Sequence, residues 1–337
     1  MSIIIVILVA ASLTTSSVCL EEQEPVKRIL IDYSHGQDDS VYGRERFDPL
    51  LFNNLSAMGY DVVIAYGGIN SSILENVDGF LLGSIKGTMD EIMPEEIAAI
   101  ADWFSEGNRF LWVACDSDYP LPGGPYINGN STLVLEAVGS HVYGEPTNVW
   151  DSINNCGAIY RPVANVTCDN PFVADIVKGV DAVLIHGTTC LYGSASENAS
   201  SLTNPVALEN TTIENVIPLL YFSPTAGIVD QDDLMPIAHN NYENGSFVAC
   251  TIEFNAGANE SGIIMVSGAA PYGSYCPMYA DEYYNRTLSG NVLILQAIDF
   301  AMNYEPPVPF ELPIEMAALC VGIVFAVVVI YDWKKKP

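Results

Sequence analysis

Apolar and polar residues alternate in blocks that predict strands and helices over the first third of the chain. RILID, residues Arg28–Asp32, is an almost unbroken apolar run, which is typical of a strand covered on both faces. Apolar residues then recur at helical spacing over 47–58 and stop at Gly59, a suitable C-terminal cap. Two further apolar runs, 61–66 and 78–82, predict the next two strands.

The segment MPEEIAAIADWFSEG predicts the second helix. Pro94 suits the first helical turn, and the two acids that follow it suit the positive end of the helix dipole. Gly107 ends the helix, and RFLWVAC, Arg109–Cys115, predicts a fourth strand. This β-α-β-β-α-β order predicts an α/β fold with a mostly parallel twisted sheet flanked by helices.

Beyond residue 120 the alternation loosens. AVLIHG, VIPLLYF, SFVACTIEF and GIIMVSG predict further strands, separated by long polar loops. NVLILQAIDFAMNY predicts a last amphipathic helix, capped by Ser289 or Asn291. We therefore predict one domain over 26–305, with a loop-rich insertion at about 120–215.

The two ends of the chain predict contact with a membrane. Residues 1–20 have the layout of a secretory signal peptide without its basic n-region, and an uncleaved anchor is the alternative. A Pro-rich spacer, 306–313, precedes an apolar segment, 314–331, which predicts a transmembrane helix. Three lysines in the tail, 332–337, place that end in the cytoplasm. We expect a single-pass type I protein with its bulk outside the cell or in a lumen.

The charge balance excludes one class of partner. The chain has 41 acidic and 12 basic residues, a formal net charge of -29. Such a surface repels phosphate backbones, so we expect no nucleic-acid partner. An extracellular surface kept soluble by acids is the favoured interpretation, and a cation-rich or halophilic setting is the alternative.

Cysteines and asparagines between the two membrane segments support export. An even number of cysteines predicts disulfides, although their connectivity stays open, and no spacing typical of zinc occurs. We predict no metal and no cofactor. The candidate disulfide cysteines are Cys115, Cys156, Cys168, Cys190, Cys250 and Cys276, of which Cys156 with Cys168 and Cys250 with Cys276 are nearest in sequence. N-x-[ST] sequons predict N-glycans at Asn54, Asn70, Asn130, Asn165, Asn198, Asn210, Asn244, Asn259 and Asn285.

Three motifs carry a resemblance to a known family. They are Asp-x-Ser-His-Gly-Gln after the first strand, PEEIAAIADWFSEGNRFLWV, and MVSGAAPYG followed by GNVLILQAIDFAMNY. They are similar to the glutamine-amidotransferase-like domain of archaeal and bacterial surface and gliding-type proteins. That domain is related to the 48-kilodalton oligosaccharyltransferase subunit and to an intraflagellar transport protein. The resemblance covers 27–304, is weakest in the middle, and implies a flavodoxin-like fold and a non-catalytic role as scaffold or subunit. The oligosaccharyltransferase subunit has a further β-rich domain, for which this chain lacks room.

Cys115 takes the position of the nucleophile in a class I amidotransferase. Its context, Ala114-Cys115-Asp116, lacks the small neighbours of Gly-x-Cys-x-Gly, and an adjacent carboxylate raises a thiol pKa instead of lowering it. No His-Pro-Glu follows near the end of the domain. We therefore predict no catalytic residue.

Asp32, Ser34 and His35 follow the first strand at the sheet edge where ligands commonly bind. Gly36 suits a turn with positive φ. The favoured interpretation is that the three side chains hydrogen-bond the loops crowning the sheet. A small-ligand or partner site there, shared with Tyr272, is the alternative. The tyrosine-rich segment beginning at Tyr272 either packs on the core as a lid, which we favour, or grips sugars or a partner.

Two acid clusters, Asp116-Ser117-Asp118 and Asp230-Gln231-Asp232-Asp233, have the ligand chemistry of calcium. They lack full EF-hand spacing and a closing Glu, so solvated acidic loops are the favoured interpretation.

The function predicted is that of a non-enzymatic, membrane-anchored extracellular glycoprotein, a scaffold or accessory subunit of a membrane complex. An oligosaccharyltransferase-like assembly is one candidate. Expected partners are the lipid bilayer, through the C-terminal helix, and an integral-membrane or cell-surface protein. One alternative is a tethered solute- or glycan-binding module near His35 and Tyr272. The other is a divergent cysteine hydrolase or amidotransferase.

Overall fold

The computed structural model of the protein describes residues 25–37, 43–85, 91–119, 127–232 and 234–305. The strands in them are β1 Arg28–Asp32, β2 Asp61–Ala65, β3 Gly79–Leu82, β4 Phe110–Ala114, β5 Val142–Gly144, β6 Asn148–Asp151, β7 Val163–Thr167, β8 Val183–Leu184, β9 Leu191–Ser194, β10 Pro205–Ala207, β11 Val216–Phe222, β12 Ala226–Val229, β13 Val248–Ala256, β14 Gly262–Ser267, β15 Glu282–Tyr283 and β16 Arg286–Thr287. The helices are α1 Asp48–Ala57, α2 Ser71–Leu74, α3 Pro94–Ser105, α4 Ile127–Ala137, α5 Ala174–Val177 and α6 Gly290–Met302, with a π-helical turn, Gly43–Phe47, before α1 and a 3₁₀ turn, Pro171–Val173, before α5.

One nine-stranded sheet organises the domain, in the order β2-β1-β3-β4-β14-β13-β11-β7-β8. Its first five strands pair in parallel, and their 2-1-3-4-5 type of order is that of flavodoxin-like sheets. From β14 onward every neighbouring pair is antiparallel. The predicted α/β class is confirmed. The prediction of a mostly parallel sheet holds for one half of the sheet only. Parallel neighbours need long crossovers, whereas β13 and β14 are joined by a short turn.

Both faces of the parallel half are covered. Ile29 and Ile31 of β1 point into one core with α1 and α6, while Leu30 points into a second core with α3 and α4. All three side chains are fully buried. Burial on both faces explains why β1 is a continuous apolar run, as expected for a parallel strand under helices.

The predicted insertion at about 120–215 contains more regular structure than its sequence pattern indicated. Strands β7 and β8 extend the central sheet, and β5, β9 and β10 form a small second sheet. Strand β8 lies inside the predicted run AVLIHG, whereas the other four are three to five residues long, which is too short for apolar alternation to stand out.

The predicted signal segment, spacer, transmembrane helix and tail lie outside the described residues, at 1–20, 306–313, 314–331 and 332–337. Within the residues that are described, none of the helices combines the length and the apolar character needed to cross a bilayer.

Candidate functional site

Strand β1 ends at Asp32, and the chain turns there on hydrogen bonds made by its own side chains. The Asp32 carboxylate accepts the backbone N–H of Ser34 at 2.9 Å and Nε2–H of Gln37 at 3.0 Å. It also lies 2.6 Å from Nδ1 of His35. Gly36 has a φ of 82°, as its sequence context predicted.

Glu96, in the first turn of α3, contacts the second ring nitrogen of His35. Its Oε2 lies 3.1 Å from His35 Nε2, and its carboxylate also accepts the backbone N–H groups of Met93 at 2.8 Å and Ile69 at 2.7 Å. The Oγ of Ser34 accepts the backbone N–H of Gly68 at 2.9 Å. These side chains thus join the loop after β1 to the loops after β2 and before α3, as the favoured interpretation expected.

His35 is an imidazolium between two carboxylates. Burial acts to lower its pKa, but the hydrogen bonds and charges of Asp32 and Glu96 outweigh burial and raise the pKa to about 9. Burial acts to raise the pKa of Glu96, yet the hydrogen bonds from Met93, Ile69 and His35 lower it. Because both ring nitrogens are engaged and the ring is charged at neutral pH, His35 has no lone pair for general-base chemistry.

Tyr272, from near the C-terminal end of the domain, joins the same hydrogen-bond network. Its hydroxyl accepts the backbone N–H of Gly83 at 3.0 Å and lies 2.9 Å from the Asp32 carbonyl oxygen and 2.8 Å from that of Leu81. The ring is fully buried and stacks on Tyr33 at 5.6 Å between centroids. The structure therefore brings Asp32, Ser34, His35 and Tyr272 together, but all except Ser34 are buried.

Several members of this hydrogen-bond network were not anticipated from the sequence: Tyr33, Gln37, Asp48 and Glu96. The Tyr33 hydroxyl donates to the Asp48 carboxylate, which also accepts the backbone N–H of Gly273 at 3.1 Å. Burial raises the pKa of both Asp48 and Tyr33. A signal was present, because Asp48 and Glu96 each lie in the first turn of a helix. Helices that follow parallel strands begin at the edge where those strands end.

The tyrosine-rich segment packs on the core as a lid. Tyr279 and Tyr283 are buried in the same hydrophobic core as Tyr272, whereas Tyr275 and Tyr284 are exposed. The guanidinium carbon of Arg161 lies 5.3 Å from the Tyr283 ring centroid and 5.2 Å from that of Tyr284. This arrangement agrees with the favoured lid and leaves two rings at the surface.

Cys115, in the position expected for a nucleophile, is fully buried at the end of β4. Burial, with a smaller contribution from the charge of Asp116, raises the pKa of its thiol to about 12. A Cβ on Gly144 would lie only 2.7 Å from the sulfur, so the glycine backbone covers the thiol. A neutral, covered thiol is a poor nucleophile.

The six candidate disulfide cysteines are all free thiols in this structure, and their pairing stays a prediction. Cys168 is half-buried, and the other five are buried. Burial raises the pKa of Cys276 and the nearby Cys156 adds to this effect, while the charge of Arg161 acts to lower the pKa of both thiols. Proximity in the fold thus differs from proximity in sequence, which had placed Cys276 beside Cys250.

One of the nine sequon asparagines is buried, and the other eight are exposed. Asn130 lies on α4 and is only 7 % exposed, so a glycan has no room there. The other eight asparagines are exposed: Asn54, Asn70, Asn165, Asn198, Asn210, Asn244, Asn259 and Asn285. Exposure makes these eight accessible to modification, and their glycosylation stays a prediction.

The two acid clusters are not separate solvated loops. The loop after β4 packs on the turn after β12, where the Asp118 carboxylate accepts the backbone N–H of Gln231 at 2.5 Å. Carboxylate oxygens of Asp118, Asp230 and Asp232 lie within 4.8 Å of one another, and Asp118 is buried. These are the described residues whose donor set could hold a metal ion.

Comparisons with known proteins identify a fold. No protein-family profile matches the sequence, and no curated protein matches it either. The chain is similar to a solved structure described as the mmIFT52 N-terminal domain, with a TM-score of 0.52 at 10% identity over 84% of this chain and 100% of that one.

Two other solved structures align with lower scores. A putative thua-like protein from Bacteroides uniformis gives a TM-score of 0.44 at 13% identity, covering 82% of this chain and 91% of that one. A putative gmp synthase subunit a protein from Thermoplasma acidophilum gives 0.38 at 12% identity, covering 84% and 97%. What the comparisons establish is that this domain shares its overall fold with the mmIFT52 N-terminal domain.

Proposed function

We propose that the protein is a non-enzymatic, membrane-anchored extracellular glycoprotein whose amidotransferase-like domain serves as a scaffold or accessory subunit of a membrane complex. The observation that carries this proposal is the environment of His35 and Cys115, the two residues on which a catalytic function would depend. His35 has carboxylates on both ring nitrogens, and Cys115 is buried with a raised pKa. Neither can activate or attack a substrate as it stands.

The rest of the proposal depends on export. The signal-like segment at 1–20, the apolar segment at 314–331 and the sequons between them all point to the same topology. A domain of this kind outside the membrane, with eight exposed sequons, has much of its surface under glycans. The membrane helix and the uncovered remainder are then the surfaces available to a partner.

The motif resemblance favours a subunit over an isolated receptor. It implies a group of domains that act as scaffolds or subunits, with the 48-kilodalton oligosaccharyltransferase subunit among their relatives. The single C-terminal span with its short lysine-rich tail resembles the layout of that subunit. An oligosaccharyltransferase-like assembly is therefore our concrete candidate for the complex.

Co-purification tests this function. The full chain, extracted in mild detergent, is expected to bring down an integral-membrane protein in a fixed ratio. A chain that ends at residue 305 is the matched control and shows whether the domain or the membrane segment makes the contact. Recovery of the full chain alone, as a monomer, would contradict the subunit role.

A second candidate function, glycan binding, is favoured by a row of three rings, in which a half-buried histidine lies between two exposed tyrosines. The centroids of Tyr160 and His186 are 5.9 Å apart, and those of His186 and Tyr275 are 5.6 Å apart. Both tyrosines are exposed, so sugars could stack on them, unlike on the buried His35 and Tyr272. A sugar-induced thermal shift that Tyr275→Ala removes would support this function, and no shift with any sugar would exclude it.

A further inference from the structure

Two short acidic segments, more than a hundred residues apart in sequence, meet at one point of the fold. Asp118 follows β4, and Asp230 and Asp232 follow β12. Their carboxylate oxygens all lie within 4.8 Å of one another. Three like charges at this separation repel each other strongly in a partly buried site.

The local backbone fixes these carboxylates in place. Asp230 Oδ1 accepts the backbone N–H of Asp232 at 3.2 Å, and Asp232 Oδ1 accepts that of Leu234 at 2.5 Å. The Asp118 carboxylate accepts the backbone N–H of Gln231, which lies between the other two acids. The side chains are therefore held together by the chain itself instead of moving apart into solvent.

Two buried oxygens beside the cluster accept no hydrogen bond from any part of the chain that the structure describes. One is Oδ1 of Asp118, a residue only 1 % exposed. The other is Oδ1 of Asn148, which is 2 % exposed and whose Nδ2–H donates to Gln231 Oε1 at 2.8 Å. A buried acceptor without a donor is destabilising, and both of these oxygens are hard ligands of the kind a cation would satisfy.

The like charges of the three carboxylates make a metal-free cluster costly. A bound dication would remove that cost.

We propose that Asp118, Asp230 and Asp232 form a calcium site, with the amide oxygen of Asn148 as a fourth candidate ligand. The group contains only oxygen donors, which excludes the softer metals that select histidine or cysteine. Calcium accepts irregular sets of carboxylate and carbonyl oxygens, whereas magnesium requires near-octahedral geometry with short bonds. The Asp230-x-Asp232 spacing also suits a calcium-binding turn.

The site would act as a clamp between two parts of the domain. Asp118 lies at the carboxyl end of a central parallel strand, and the Asp230–Asp232 turn belongs to the two-stranded β6–β12 sheet. A bound ion therefore ties that small sheet to the loops that crown the large one. Removing the ion should loosen this junction first.

The test uses the full chain in mild detergent, stripped of metal with a chelator. Thermal melting and calorimetric titration are measured with calcium chloride and, separately, with magnesium chloride. At about 10 mM, roughly tenfold above the weakest affinities typical of extracellular calcium modules, calcium should raise the melting temperature by a few degrees. Magnesium at the same concentration should have a smaller effect.

Single substitutions give the signature of the site. Asp230→Asn and Asp118→Asn should each weaken calcium affinity by about tenfold or more, because affinity follows the number of charged ligands. Both should also melt above the wild type in chelator, because each relieves like-charge repulsion. Asp102→Asn, which removes one exposed charge from α3, is the matched control and should respond to calcium as the wild type does.

Three outcomes would overturn the proposal. The first is a wild-type chain that neither binds calcium in the titration nor melts at a higher temperature with it. The second is an Asp230→Asn variant with undiminished calcium affinity. The third is an equal loss of affinity in Asp102→Asn. If Asp118→Asn does not fold, the more exposed Asp230→Asn still decides the question.

Discussion

At the scale of single residues, His35 lies at the edge of the sheet where active sites of such folds are found. Its surroundings, however, suit a positively charged side chain with a structural role. Its nitrogens contact Asp32 and Glu96, which also receive backbone N–H groups from three loops. Such a network is satisfied only while every member is present. His35 therefore stabilises the crown of the sheet and has no free nitrogen to offer a substrate.

Replacing one carboxylate of this pair should destabilise the fold. Glu96→Gln removes the charge that pairs with His35 and weakens the hydrogen bonds from Met93 and Ile69. We expect a loss of about 1–3 kcal/mol in the free energy of unfolding, measured by denaturant titration. Glu95→Gln, at the exposed neighbouring position, is the control and should change stability by less than about 0.5 kcal/mol. Equal losses in both variants would show that the His35 contact is unimportant.

A second buried histidine makes stability depend on alkaline pH. His239 lies 2.7 Å from Glu145 and 3.0 Å from Glu209, and these carboxylates raise its pKa to about 9 although burial opposes them. His35 behaves in the same way. Both rings thus hold a proton in the folded state that the unfolded chain releases near pH 6.5.

The sign of the pH effect follows from these raised pKa values. The contribution of the two histidines is complete below about pH 6.5 and is lost as the pH rises through about 9. We expect the free energy of unfolding to fall between pH 7 and 9.5 by a few kcal/mol, on the order of 1.4 kcal/mol per pKa unit for each ring. Melting curves at constant ionic strength measure this. Stability that rises over that range would contradict both assignments.

At the scale of elements, the lid depends on a close approach between two loops. Gly273 has a φ of 63°, and a Cβ there would lie 2.6 Å from the backbone oxygen of Gln37. Its N–H also donates to Asp48, so the lid is fixed to α1 at this point. A side chain at position 273 would push the lid away from the crown.

Gly273→Ala should therefore lower stability by more than about 1 kcal/mol, since both the backbone conformation and the space are unfavourable. Gly245→Ala is the matched control, because the nearest atoms to its added Cβ are at 3.6 Å, an ordinary contact. Thermal melts of both variants make the comparison. A neutral Gly273→Ala would show that the lid does not depend on this contact.

The elements that the sequence predicted well are those in which a single apolar or helical pattern continues over many residues. β1 and β11 match their predicted bounds, and α3 begins at the predicted Pro94. Of the short strands in 142–207, β8 lies inside the predicted run AVLIHG, but β5, β6, β7, β9 and β10 were missed because three to five residues carry no detectable period. The antiparallel half of the sheet was missed because strand direction depends on distant pairing, as between β11 and β7.

In the candidate site, too, the residues that are adjacent in sequence were predicted and the distant contacts were not. Asp32, Ser34 and His35 could be placed together because they are adjacent in sequence, and Tyr272 was joined to them only as a hypothesis. Glu96 and Asp118 acquire their roles from contacts with residues 61 and 113 positions away. No local pattern contains such contacts, although acids in the first turns of helices are a usable hint.

At the scale of the whole molecule, the proposed function requires that the domain lie outside the membrane. The excess of acidic residues, the even set of cysteines and the sequons are each compatible with other locations, but they agree on export. The fold alone does not distinguish compartments, since one fold can serve many functions. Glycan occupancy distinguishes them directly.

The proposed export is therefore tested most directly by mass spectrometry of the chain purified from membranes, before and after enzymatic removal of N-glycans. We predict glycans on the eight exposed asparagines or a subset of them, and an unmodified Asn130, which is buried on α4. A chain recovered from the cytosol with all nine asparagines unmodified would contradict the proposed export and the function that depends on it.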